Sequence, residues 1–152
     1  PKLVMDADVL FFGEPDELLR WWDNPINALC ATDVTESYGY SRPLMQKLAG
    51  APIPRDINVG ITGLRSETID WEQLENWCRE LITREKTNYY LEQALVAMIC
   101  AQKPYTQLGL ARYITGPSDR QVLNGEGVMQ HYVDLSKREY FRNAWKRLSN
   151  ES

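Results

Sequence analysis

The stretch VMDADVLFF, residues 4–12, sets Asp6 and Asp8 one residue apart between two apolar runs. Residues 2–5 and 9–12 read as short buried strands on either side of the acidic pair. On an extended chain, residues i and i+2 point the same way and lie about 6.5 Å apart. Two carboxylates so placed repel each other unless water screens them or a cation lies between them. Mg²⁺ and Mn²⁺ prefer oxygen ligands and are often held by one or two carboxylates plus substrate phosphates, so a divalent ion is one solution. The other reading is structural: two aspartates end one strand and open the turn to the next. Spacing alone leaves both open.

Outward from this pair, strands alternate with helices. Pro15 suits the first turn of a helix carrying Leu18, Leu19, Trp21 and Trp22, which Asn24-Pro25 ends. Residues 28–33 read as a strand, 42–49 as a short helix stopped by Gly50, and 57–65 as a strand rich in β-branched residues. Asp70 and Gln73 form a capping box for a helix with a stripe of Leu74, Trp77, Cys78 and Leu81. A second helix over about 88–101 is apolar nearly all round and is expected to be buried on several sides. Residues 105–127 are poorly patterned and read as loop, whereas 127–133 is a good strand. Ser136 and Glu139 suggest a further capping box, with Tyr140, Phe141, Ala144, Trp145 and Leu148 as its stripe. The fold class expected is α/β or α+β, a single domain over 1–152 with a mixed sheet flanked by helices.

Composition narrows the function classes. At 152 residues the chain has the size of one domain, and 43% apolar with 25% charged residues is ordinary for a globular protein. The net charge of −4 supplies no basic excess for phosphate backbones, so nucleic acid is not an expected partner. No apolar run reaches transmembrane length; the longest is ALVAMICA, 94–101. Cys30, Cys78 and Cys100 are far apart and form no CxxC pair; Cys78 and Cys100 sit in apolar helical runs and read as buried thiols, and a reducing, cytoplasmic setting fits. Five Trp and eight Tyr are a high aromatic load, as in sugar pockets but also in ordinary cores.

VMDADVLFFGEPDEL resembles the D-x-D region of GT-A type glycosyltransferases, in which a strand runs into the motif and an apolar run, Pro-containing turn and helix follow. Three later segments keep the family's order: NVGITGL at 58–64, YYLEQALVAM at 89–98 and MQHYVDLSKREYFRNAW at 129–145. The likeness is greatest to glycogenin-like and lipopolysaccharide hexosyltransferases. It implies the C-terminal part of a nucleotide-diphospho-sugar transferase fold. The activity implied is metal-dependent transfer of a hexose from a nucleotide-sugar to a hydroxyl acceptor. By the same resemblance, Asp6, Asp8 and His131 are the ligands of Mn²⁺ or Mg²⁺, and Glu92 and Gln93 face the transferring sugar as catalytic residues. Asn58 and Gly60 line the sugar or acceptor side, and Lys137 and Arg138 face the phosphates.

Each of these residues has a plainer reading as well. His131, the single histidine, shares its strand face with Met129 and Val133 and is expected to be half-buried, as a ligand or as a core imidazole held by one hydrogen bond. Glu92 shares a helix face with Leu95, Val96 and Ile99 and is either a site carboxylate or a first-turn Glu stabilised by the helix dipole. Lys137 and Arg138 also suit a solvated basic pair, and Asn58 and Gly60 a simple bulge.

Two departures from the family stand out. Asp6 follows only five residues, so the nucleotide-binding half that precedes D-x-D in the family is expected to be missing, by truncation of a longer transferase, as a naturally short product, or with its strands supplied by another subunit. The family's Gly- and Pro-containing phosphate loop is replaced by VDLSKREYF. With the upstream strands missing, residues 2–5 are expected to be an exposed edge that favours a homodimer. The competing readings are a non-catalytic glycosyltransferase remnant acting as a dimeric binding or interaction module, and an interaction protein whose acidic pair holds no metal.

Overall fold

Pro15 precedes α1 (Asp16–Asp23), whose first turn carries Asp16 and Glu17 where carboxylates meet the positive end of the helix dipole. Leu18 and Trp21, three residues apart on one face, are buried, while Leu19 and Trp22 are exposed. The Trp21 ring lies directly on Gly63; a Cβ there would fall 2.5 Å from the indole, so the helix can approach only because residue 63 has no side chain. Its buried N–H is satisfied by donating to the Asn27 carbonyl at 2.8 Å. The computed structural model describes residues 1–86 and 88–146.

The strands form two mixed sheets. In the first, β1 (Lys2–Met5), β4 (Ile57–Leu64), β3 (Ala28–Thr32) and β5 (Tyr105–Leu108) lie in the order β1-β4-β3-β5. Only the β3–β5 pair is parallel. In the second, β2 (Val9–Phe11) pairs antiparallel with β7 (Met129–His131), and β7 pairs parallel with β6 (Tyr113–Thr115). One face of the first sheet is covered by α2 (Arg42–Ala49), α3 (Trp71–Glu85) and α4 (Leu91–Gln102), whose core gathers Met45, Trp77, Leu81 and Met98 against Cys30 and Ile57. A second core joins the two sheets under α1, with Leu18, Trp21, Leu29, Ile61, Leu108, Tyr113 and Met129. A small third core, Val122, Tyr132 and Ala144, lies beneath α5 (Asp119–Asn124). The mixed α/β class is the one expected from the sequence, divided between two sheets rather than held in one.

Helix signals behave as their chemistry predicts. Asp70 accepts from the Gln73 amide at the start of α3, Gly50 closes α2 in the left-handed conformation, and α4 is buried on most of its circumference. Four expectations need correction. Strand β1 is not buried: it is the outer strand of its sheet, and Val4 and Met5 are about half exposed. Residues 105–127 are not mainly loop, since β5, β6 and α5 lie there. The Ser136–Glu139 capping box does not form. Ser136 donates its hydroxyl to the Val133 carbonyl at 2.6 Å, and the chain makes one α-turn, α6 (Lys137–Glu139), before widening into a π-helical segment, Tyr140–Ala144. Of the stripe expected there, Ala144 is buried and Phe141 and Trp145 are exposed; Leu148 lies outside the described residues.

The N-terminus of α2 is satisfied from another helix. Ser41 donates its backbone N–H to Glu85 Oε2 at 2.7 Å and its hydroxyl to Glu85 Oε1 at 2.5 Å. Those bonds favour the ionised form and hold the Glu85 carboxyl below its ordinary value of 4.5, the hydroxyl being the larger cause. A carboxyl depressed in the folded state stabilises the fold above its unfolded pKa, and this contribution is lost as pH falls through the folded value. The difference in urea midpoint between the wild type and Glu85→Gln will therefore shrink as pH is lowered from 6 to 3. An unchanged difference across that range would remove the linkage.

Candidate functional site

The chain leaves the first sheet at Met5 and joins the second at Val9, and the acidic pair sits on this crossing. The Asp6 amide makes a last bond to the Gly60 carbonyl at 3.0 Å, and the Asp8 carbonyl accepts from the Tyr132 amide at 2.9 Å. Val9 lies opposite His131 in the register of β2 and β7. Both backbone anchors thus deliver the carboxylates to one imidazole. His131 Nε2 is 3.4 Å from Asp6 Oδ2 and 3.4 Å from Asp8 Oδ1. One ligand atom of each of the three residues lies within 4.8 Å of the others. The two aspartates converge as expected, but across a turn between sheets rather than along one extended strand.

His131 is 3% exposed, more deeply set than its strand pattern suggested. Its ring packs against Gly60, where a Cβ would fall 2.2 Å from Nδ1. Gly60 does allow a close approach, and the group that approaches is this imidazole. Nδ1 lies 3.0 Å from Asn58 Oδ1. The Asn58 amide is oriented from both ends: its oxygen accepts from the Gly60 amide at 2.9 Å, and its nitrogen donates to Asp33 Oδ2 at 3.1 Å. The oxygen therefore faces Nδ1, which must carry the proton and donate. Burial is the largest influence on the imidazole and outweighs Asp8, Asp6 and Asp33, so its pKa falls below the ordinary 6.5. Nε2 faces the two carboxylates, so one imidazole nitrogen and two carboxylate oxygens converge on one point, an arrangement that a bound cation could occupy.

Two carboxylate oxygens and one imidazole nitrogen could hold a divalent cation, and the second ring nitrogen has the hydrogen-bond partner that histidine ligands ordinarily carry. Since His131 is the single histidine, its tautomer can be read without assignment. Long-range ¹H–¹⁵N spectra will show Nδ1 protonated in the wild type, and Asn58→Leu will shift the ring toward the Nε2–H form. A wild-type Nε2–H ring would contradict the derivation.

The cluster stands in a cleft of about 360 Å³ that runs to the start of α4. Asn58, Gly60, Glu92, Gln93 and Lys137 line it with Asp6, Asp8 and His131, so one cleft brings together residues from widely separated segments. Lys137 Nζ lies 3.2 Å from Asp8 Oδ2, and this bond raises the lysine pKa. Gln93 has a narrower part than expected: its amide nitrogen is committed to Asp33 Oδ2 at 3.2 Å and to the Ser37 carbonyl at 2.9 Å. Glu92, beside it in the first turn of α4, is exposed to the cleft. Arg138 does not line the cleft; its side chain is 59% exposed and lies 3.6 Å from Glu139. Consecutive helical residues point about 100° apart, so only one of the two basic side chains reaches Asp8.

Sequence reading missed Asp33, which is 9% exposed and binds the Asn58 and Gln93 amides together with the Val34 N–H. The only signal was an aspartate ending the apolar run ALCAT. With Asp33 and Asp134 included, the cleft holds five carboxylates (Asp6, Asp8, Asp33, Glu92, Asp134) against one ammonium, Lys137. An anionic ligand entering it needs added positive charge. No known family, curated protein or solved structure matches the chain.

Proposed function

We propose that this cleft is the cation and donor-diphosphate site of a metal-dependent glycosyltransferase of the GT-A type, which transfers a hexose from a nucleotide-sugar to a hydroxyl acceptor. The observation that carries the reading is the convergence of Asp6, Asp8 and His131 Nε2 beside Lys137. Asp6, Asp8 and His131 would hold Mn²⁺ or Mg²⁺, which supplies neutralising charge to a diphosphate leaving group. The chain's own residues do the rest. Lys137 adds the one ammonium near the phosphates. Glu92 offers a carboxylate at the sugar end of the cleft, and Gln93 and Asp33 brace the wall behind it. Free Cys30, Cys78 and Cys100 suit a reducing, cytoplasmic setting. Among the described residues no helix is long and apolar enough to cross a membrane.

Titration calorimetry tests this. One Mn²⁺ site per chain is expected, and UDP or GDP should bind only with the ion present. Absence of Mn²⁺ binding at millimolar concentration would end the transferase reading. A second reading, a non-catalytic dimeric module, is favoured by the position of β1 at the sheet edge with Val4 and Met5 exposed. Sedimentation showing a stable dimer, with no nucleotide heat, would select it.

A further inference from the structure

Tyr89 and Tyr90 stand in the same cleft as the acidic cluster, and the metal and donor roles leave them unused. Tyr89 is 89% exposed and Tyr90 37% exposed. Their position is built rather than casual. Asn88 Oδ1 accepts from the Tyr90 amide at 3.0 Å, and Asn88 Nδ2 donates to the Gly39 carbonyl at 3.0 Å. A Cβ on Gly39 would fall 2.1 Å from that Asn88 oxygen, so the glycine makes room for the turn that presents both rings. The rings meet edge to face, with centroids 5.2 Å apart and planes at 86°. One ring braces the other, both residues line the cleft, and most of the Tyr89 side chain is left exposed.

The neighbouring wall indicates what that surface meets. The Glu92 carboxylate has no hydrogen-bond or ion-pair partner among the described residues, and the Ser37 hydroxyl stands in the same cleft. An aromatic face beside a free acceptor suits a ring that is apolar across its C–H face and hydroxylated at its edge. The excess of carboxylates in the cleft opposes an anionic ring. We propose that Tyr89 and Tyr90 form an acceptor subsite, in which a neutral pyranoside stacks on Tyr89 and donates a hydroxyl hydrogen to Glu92. This rests on the transferase reading above, because it assigns the donor to the cation end of the same cleft.

Saturation-transfer NMR with the methyl α- and β-pyranosides of glucose and galactose, in Mg²⁺, tests the subsite directly. At least one glycoside will show transfer to its ring C–H protons. Tyr89→Ala will weaken that glycoside roughly tenfold, as loss of one stacking contact does. Tyr89→Phe will retain it, and UDP affinity will be the same in all three proteins. The subsite is overturned if none of the four glycosides binds, or if Tyr89→Ala binds as the wild type does. It is equally overturned if Tyr89→Ala weakens UDP instead, which would make the ring a platform for a base. Failure of the donor reading is seen separately, as absence of UDP heat in the wild type.

Discussion

Asp8→Ala will lower Mn²⁺ affinity by roughly a hundredfold or more, since in the proposed site Asp8 is a direct ligand, where even second-shell losses cost about 10–100-fold. Asp8 is the stronger test of the two aspartates because it touches both His131 and Lys137, at 3.4 Å and 3.2 Å. Its removal takes away a ligand and also releases the ammonium. The fold should survive, because the bond that holds this turn is made by the Asp8 carbonyl to Tyr132 and does not involve the carboxylate. Stability should stay within about 0.5 kcal/mol of wild type, as for most partly exposed substitutions. Calorimetry with Mn²⁺ and a urea melt on the same sample check both halves. Unchanged Mn²⁺ affinity in a folded variant would remove Asp8 from any metal site.

Gly60→Ala will be damaging for a different reason. The added methyl would overlap the His131 ring, 2.2 Å from Nδ1 and 2.3 Å from Cε1. Either the imidazole swings away and loses its bond to Asn58, or β4 shifts and disturbs the Asp6 amide that it holds. Overpacking of this kind costs about 1–3 kcal/mol. Mn²⁺ affinity should fall roughly tenfold or more along with stability, because the proposed site uses the displaced ring as a ligand. Gly109→Ala is the control: nothing lies within 4 Å of the position its methyl would take. If Gly60→Ala matches that control in urea and in Mn²⁺ titration, the packing argument fails.

The parts of this fold that were readable in the sequence are those decided by neighbours along the chain. Asp70 with Gln73, Gly50 after the 42–49 helix and the apolar run 94–101 each carry their own local cause, and each element stands where expected. The segment 105–127 was misread because β5 and β6 are only four and three residues long and are stabilised by parallel partners, β3 and β7, which local pattern does not reveal. One signal there was legible and passed over: Ser118-x-x-Gln121 makes a full capping box for α5. Ser136-x-x-Glu139 has the same form and makes none, since Ser136 already stands in helical conformation and its hydroxyl turns back to Val133. At the site, the spacing of Asp6 and Asp8 drew attention to the pair while leaving a cation site and a plain strand end both open. Asp33 did not, because its importance comes from Asn58 and Gln93, which are 25 and 60 residues away.

The chain passes from one sheet to the other through Ala7, with one aspartate anchored to each side: Asp6 by Gly60 of β4, and Asp8 by Tyr132, which follows β7. An ion held by both carboxylates and His131 would add a further tie between two sheets already joined by the core beneath α1 and by the Thr115–Thr32 hydrogen bond. At a hundred times its dissociation constant such a ligand adds about 2.7 kcal/mol. Amide hydrogen exchange should then slow together in β4 and β7, on both sides of the seam, instead of only around the loop that carries the charges.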